Sequence, residues 1–107
     1  MRIAVAAGPE TVPGTLEESG RLLVLETDGG ETLTERPGPD PLGFAALALE
    51  YDCEAVACGK ISDPEAFRRL AENGVTRYYA PGLEPLAAAR AAEAGTLPLQ
   101  VRIGELR

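Results

Sequence analysis

Hydrophobic positions along the chain fall into short unbroken runs punctuated by glycine and proline, and helical spacing enters only later. Residues 2–7 form the first run, closed by Gly8-Pro9, as expected of a strand buried on both faces. Glu10 to Gly20 shows little period and is interrupted by Pro13 and Gly14, so it reads as a loop. Arg21 to Thr27 is again continuously apolar at its centre and predicts a second buried strand. Asp28-Gly29-Gly30 then offers the positive-φ positions that a tight hairpin demands. The segment 31–36 is polar apart from Leu33, which suits an exposed edge strand whose charges discourage pairing with another chain.

Pro37-Gly38-Pro39-Asp40-Pro41 marks a crossover. Beyond it Leu42, Ala45, Ala46 and Leu49 fall at i, i+3, i+4 and i+7, predicting one face of a helix over 42–51. Cys53 to Cys58 reads as a short strand. Ser62 and Glu65 have capping-box spacing with Pro64 in the first turn, which predicts a helix over 63–73. Ala66, Phe67, Leu70 and Ala71 form its expected buried face, and Asn73-Gly74 ends it. Residues 75–80 are β-branched and aromatic and predict a strand. Pro81-Gly82 turns the chain into an alanine-rich helix over 84–94, stopped by Gly95, and the alternating tail 99–106 reads as a last strand. The expected fold is thus α/β: antiparallel hairpin strands, then βαβα with right-handed crossovers, forming a mixed sheet with helices on its faces.

With 107 residues, 45% of them hydrophobic, and no internal repeat or composition break, the chain fits a single domain over 1–107. Seventeen acidic against ten basic residues give a net charge of −7. That balance argues against nucleic acid as a partner, since phosphate binding needs a basic face to release counterions. No apolar run approaches the roughly 20 residues needed to span a bilayer. The apolar stretch from Ile3 to Ala7 is shorter than the h-region of a signal peptide and reads as a strand. Two cysteines do not make a disulfide framework, and the expected compartment is the cytoplasm.

Candidate chemistry concentrates in Cys58-Gly59-Lys60-Ile61-Ser62, which leaves a strand and opens a helix. Free N–H groups of the helix start could cradle an anion beside Lys60. Two readings of Cys58 stay open: a packed core residue, or a soft ligand whose thiol pKa the helix start and Lys60 lower. Cys53 is expected to be a small packed residue. If both lie on one strand, they are about 16 Å apart and point to opposite faces, so they cannot share a metal. The chain has no histidine, which removes a Ser–His or Cys–His nucleophile, and Walker spacing is absent. The first strand, Ile3 to Ala7, offers no aspartate for a two-metal nuclease. The chain is therefore not expected to be an enzyme.

The ordered segments resemble the dinitrogenase iron–molybdenum cofactor biosynthesis family, the small domains of NifX type also found at the end of NifB-type proteins. The resemblance is carried by 1–6, by the strand and hairpin 22–31, and most strongly by Asp52 to Ser62, followed by 70–75 and Tyr78-Tyr79. That family has a Gly-Gly-Ile-Gly stretch after the corresponding strand. Gly59 and Ile61 match it, while Lys60 and Ser62 stand where glycines are usual. The resemblance implies an RNase H-like fold and a non-catalytic role in holding iron–sulfur or iron–molybdenum cofactor precursors, with cofactor-assembly proteins as partners. The residues of this chain that could hold such a cargo are Cys58 to Ser62, with Cys58 as the metal ligand. The family's first-loop histidine is replaced by Thr15-Leu16-Glu17, so no imidazole can ligate a cluster. The alternative is an acidic interaction or regulatory module that keeps the fold without a cofactor.

Overall fold

A computed structural model describes residues 1–107. Five strands form one mixed sheet: β1 (Arg2–Ala7), β2 (Arg21–Glu26), β3 (Glu31–Pro37), β4 (Ala55–Cys58) and β5 (Thr76–Tyr79). Their order is β3-β2-β1-β4-β5. Strand β1 pairs antiparallel with β2, which pairs antiparallel with β3, and parallel with β4, which pairs parallel with β5. This is the expected RNase H-like arrangement of a hairpin followed by two βα units. The hairpin turns at Gly29 and Gly30, both at positive φ (84° and 73°), as the Asp28-Gly29-Gly30 signal predicts.

The period of two along the inner strands builds a core on each face of the sheet. Ala4, Ala6, Leu22, Val24, Val56 and Cys58 face helices α1 (Pro41–Glu50) and α2 (Pro64–Glu72). Ile3, Val5, Leu23, Leu25, Ala55 and Ala57 face helix α3 (Pro85–Ala94). None of the three helices is long and apolar enough to cross a membrane.

Several local expectations are corrected. Helix α1 buries Phe44, Ala45, Leu47 and Ala48, while Leu42 is exposed. Its sequence is apolar on nearly every side, so spacing alone could not select the face that the large Phe44 ring settles by packing. In α2, Ala71 is exposed and Ala66 and Leu70 are the buried pair. Asp63, not Ser62, caps α2: its Oδ1 accepts from the N–H groups of Glu65 at 2.9 Å and Ala66 at 3.1 Å. The Ser62 hydroxyl instead donates to Glu17 at 3.1 Å, and the Glu65 carboxylate pairs with Arg68.

Cys53 is not on β4. Asp52 adopts a left-handed φ of 52°, and the Cys53 N–H returns to the Ala48 carbonyl at 2.8 Å, so the strand begins only at Ala55. Both cysteines consequently lie in the core beneath α1 and α2 rather than on opposite faces. The tail forms a hairpin of its own, β6 (Gln100–Arg102) and β7 (Glu105–Leu106), turned at Gly104. It meets the main sheet at an antiparallel bridge between Leu99 and Tyr78.

Candidate functional site

Strand order reverses at β1, which runs on to β2 on one side while its parallel neighbour β4 lies on the other. In open α/β sheets the crevice outside the carboxyl ends of strands at such a point is where ligands bind. Three loops meet there: 8–20 after β1, 59–63 after β4 and 80–84 after β5. Backbone hydrogen bonds lace them together. The Lys60 N–H donates to Gly14 O at 2.9 Å, and the Leu16 N–H to Lys60 O at 2.9 Å. The Val12 N–H donates to Leu83 O and the Gly82 N–H to Val12 O, both at 2.8 Å. Val12 and Leu16 are buried by this lacing, which makes the first loop part of the core rather than a free flap.

Gly59 is required by the close approach. A Cβ there would lie 2.5 Å from the carbonyl oxygen of Pro13, the carbonyl carbon of Gly14 and the amide of Thr15. Its role is thus to admit the first loop's backbone, not to open space for a ligand.

The structure separates the five residues singled out in the sequence. Cys58, Gly59 and Ile61 are buried, while Lys60 and Ser62 are exposed. The Cys58 thiol is completely buried, and burial pushes its pKa up to about 12. The Gln100 amide beside it acts in the opposite direction but less, and the Glu17 charge adds to the rise. Of the two readings left open for Cys58, this is the packed core residue: burial, not the α2 start, sets the direction of its shift. Cys53 behaves alike: burial pushes its thiol up to about 12, against a smaller opposing pull from Arg2.

The anion cradle is occupied by the chain itself. Gln100, buried at the start of β6, accepts from the Ile61 N–H through Oε1 at 3.0 Å. Its Nε2 donates to Gly59 O at 3.0 Å and to Tyr78 O at 3.4 Å, and lies 3.8 Å from Cys58 Sγ. The amides of Lys60, Ile61, Glu65 and Ala66 are all committed to internal acceptors. No three His, Cys, Asp or Glu side chains converge to hold a metal ion.

The open space lies on the first loop. A cleft of about 520 Å³ is lined by Gly8, Pro9, Glu10, Thr11, Pro13 and Glu18 of the first loop. Arg21 braces its floor, donating through Nη1 to Gly8 O and Pro9 O at 3.3 Å and pairing with Glu35. Thr15 Oγ1 orients Glu18 by donating to its carboxylate at 2.8 Å. Glu10, Thr11 and Glu18 carry no motif of their own, and the signal for a site there is Gly8-Pro9 ending a central parallel strand. No local pattern distinguishes Gln100 from any polar residue of an alternating tail.

Comparison with solved structures gives a likeness of fold over nearly the whole chain. The apo form of the orange protein from Desulfovibrio gigas matches with a TM-score of 0.72 at 18% identity, covering 94% of this chain and 92% of that one. A protein described provisionally as NifB, from Thermotoga, matches with a TM-score of 0.71 at 18% identity, covering 94% of each chain. A protein described provisionally as a dinitrogenase, from Methanocaldococcus jannaschii, matches at 0.68 and 15% identity, covering 92% and 93%. No protein-family model matches the chain, and no curated protein does. At these identities the likeness is one of fold, and it is the fold expected from the resemblance in the sequence.

Proposed function

We propose that the chain is a non-catalytic binding domain of the carrier kind, related to proteins that hold iron–sulfur or iron–molybdenum cofactor precursors for cofactor-assembly partners. The observation that carries this reading is the full-length likeness of fold to the orange protein, which has an apo form, and to proteins described as NifB and dinitrogenase. The cleft at the carboxyl end of β1 supports it by offering room at the reversal of strand order.

The donor set does not fit direct ligation of a cluster with the loops laced as they are. Cys58 is a single buried thiol, and the chain has no imidazole. A cargo at this edge is held instead by the exposed Lys60 of the loop after β4 and by the Thr11 hydroxyl on the cleft. Glu10 and Glu18 on the cleft oppose an anionic cargo, so binding is weak and salt-sensitive. The absence of catalysis belongs to the same proposal: the polar neighbour of Cys58 is the Gln100 carboxamide, which cannot take up its proton. A cytoplasmic location is supported by both cysteines being free thiols.

One observation favours the second reading, an interaction module without cofactor: the Lys60 and Ile61 amides of the loop after β4 are satisfied within the chain. Anaerobic incubation of the purified protein with an iron–sulfur precursor, followed by visible absorbance, separates the two. Salt-sensitive uptake is the expected outcome. Spectra that never change across a precursor titration would remove the carrier reading and leave the interaction module.

A further inference from the structure

The C-terminal hairpin covers the loop after β4 without being built into either core. Of residues 99–107 only Gln100 is buried, and Ile103 and Leu106 are 46% and 39% exposed. Neither core includes a residue beyond Leu97 other than the Cys58-facing contact that Gln100 makes through its amide. The hairpin is attached instead by polar contacts. The Tyr79 N–H donates to Pro98 O at 2.9 Å, Arg77 Nε donates to Gln100 O at 3.2 Å, and the Gln100 side chain spans Ile61, Gly59 and Tyr78.

Such attachments exchange for water when they open, and each nets little. The apolar burial that holds β1 and β4 between two helix layers has no counterpart here. The hairpin therefore belongs to the least stable part of the structure, the kind of segment that opens locally while the rest stays folded. Its own closure is independent of the sheet, since the Arg107 N–H returns to Leu99 O at 2.8 Å.

We propose that the C-terminal hairpin is a displaceable cover, whose release with the sheet intact withdraws Gln100, exposes Cys58 Sγ and frees the Ile61 N–H. Closed, the hairpin keeps the Ile61 N–H and the Gly59 carbonyl satisfied and the Cys58 thiol out of reach. Open, it uncovers a thiol and a free backbone donor on the same loop as Lys60. The cover would regulate the carrier site described above, and its purpose rests on that reading, while its opening is a property of the hairpin alone.

The test uses the full-length protein without any cargo. Cys58 and Cys53 are labelled with iodoacetamide under native conditions and read separately by peptide mass, alongside amide exchange at Ile61, Tyr79 and Val5. The expected result is that Cys58 reacts at least about tenfold faster than Cys53, while Ile61 and Tyr79 exchange together and well ahead of Val5. Gln100→Ala, with its fold checked by near-ultraviolet circular dichroism, accelerates Cys58 by a further factor of about ten and leaves Cys53 unchanged. One common rate for both thiols in the wild-type protein, or Ile61 protected as strongly as Val5, overturns the proposal even if the variant fails to fold. Opening without uptake of an iron–sulfur precursor refutes the carrier reading alone; uptake without opening refutes the cover.

Discussion

The Lys60 amide donates to the Gly14 carbonyl at 2.9 Å, joining the loop after β4 to the loop after β1 backbone to backbone. That approach leaves no room for a side chain at the preceding residue, since a Cβ on Gly59 meets the Pro13–Thr15 backbone. Gly59→Ala is therefore expected to cost about 1–3 kcal/mol, the range for overpacking a site whose neighbours cannot move aside. Urea denaturation measures it. A midpoint equal to wild type would mean that the two loops separate freely.

Asp63 and Ser62 should differ sharply as caps of α2. Asp63→Ala removes an acceptor from two amides and should cost about 1 kcal/mol. Ser62→Ala loses only an exposed bond to Glu17 and should stay within about 0.5 kcal/mol of wild type. Thermal melts of both variants would reverse this order if Ser62 were the working cap.

The buried thiols make stability depend on alkaline pH. Cys53 and Cys58 both rise from an ordinary 9.0 to about 12 on folding. The unfolded chain thus releases these protons first, and stability is fully present below pH 9 and lost as pH rises from there toward 12. Denaturation midpoints of wild type should fall more steeply over this range than those of the Cys53→Ala/Cys58→Ala protein. Parallel curves would mean that the thiols ionise as readily folded as unfolded.

Lys60 is the chain's single lysine, is exposed, and has no carboxylate within ion-pair distance. Lys60→Ala should leave stability within about 0.5 kcal/mol. It should weaken retention of an anionic cluster precursor by roughly 1 kcal/mol, as for a partly exposed charge-assisted contact. Titration at two salt concentrations reads the effect, and an unchanged affinity would place the cargo away from this loop.

Most of the architecture was legible because each segment carries its own period and its own stop. The run 2–7, the turn at Gly29-Gly30 and the strand before Gly59 all declare themselves locally. What escaped was decided by contacts between distant residues. The face of α1 follows from where Phe44 packs, and Cys53 leaves the strand because the chain turns at Asp52. The candidate site was legible as a location but not as a state. Nothing near Cys58 in the sequence announces that Gln100, 42 residues on, fills the space beside its sulfur. Nor does the glycine-punctuated first loop reveal that its backbone is hydrogen-bonded to Lys60.

Helix α3 belongs to the same core as Ala7, Ala55 and Ala57 through Ala88, Ala89 and Ala92, methyl groups on both sides of the layer. With such short side chains there is almost no slack for one partner to absorb growth in the other. Drift in this layer must go in matched steps, a gain of volume in the helix accompanied by a loss in the strand. Among homologous chains these alanines would change as a linked set, whereas Leu42 and Ala46 on the outer side of α1 would vary one at a time.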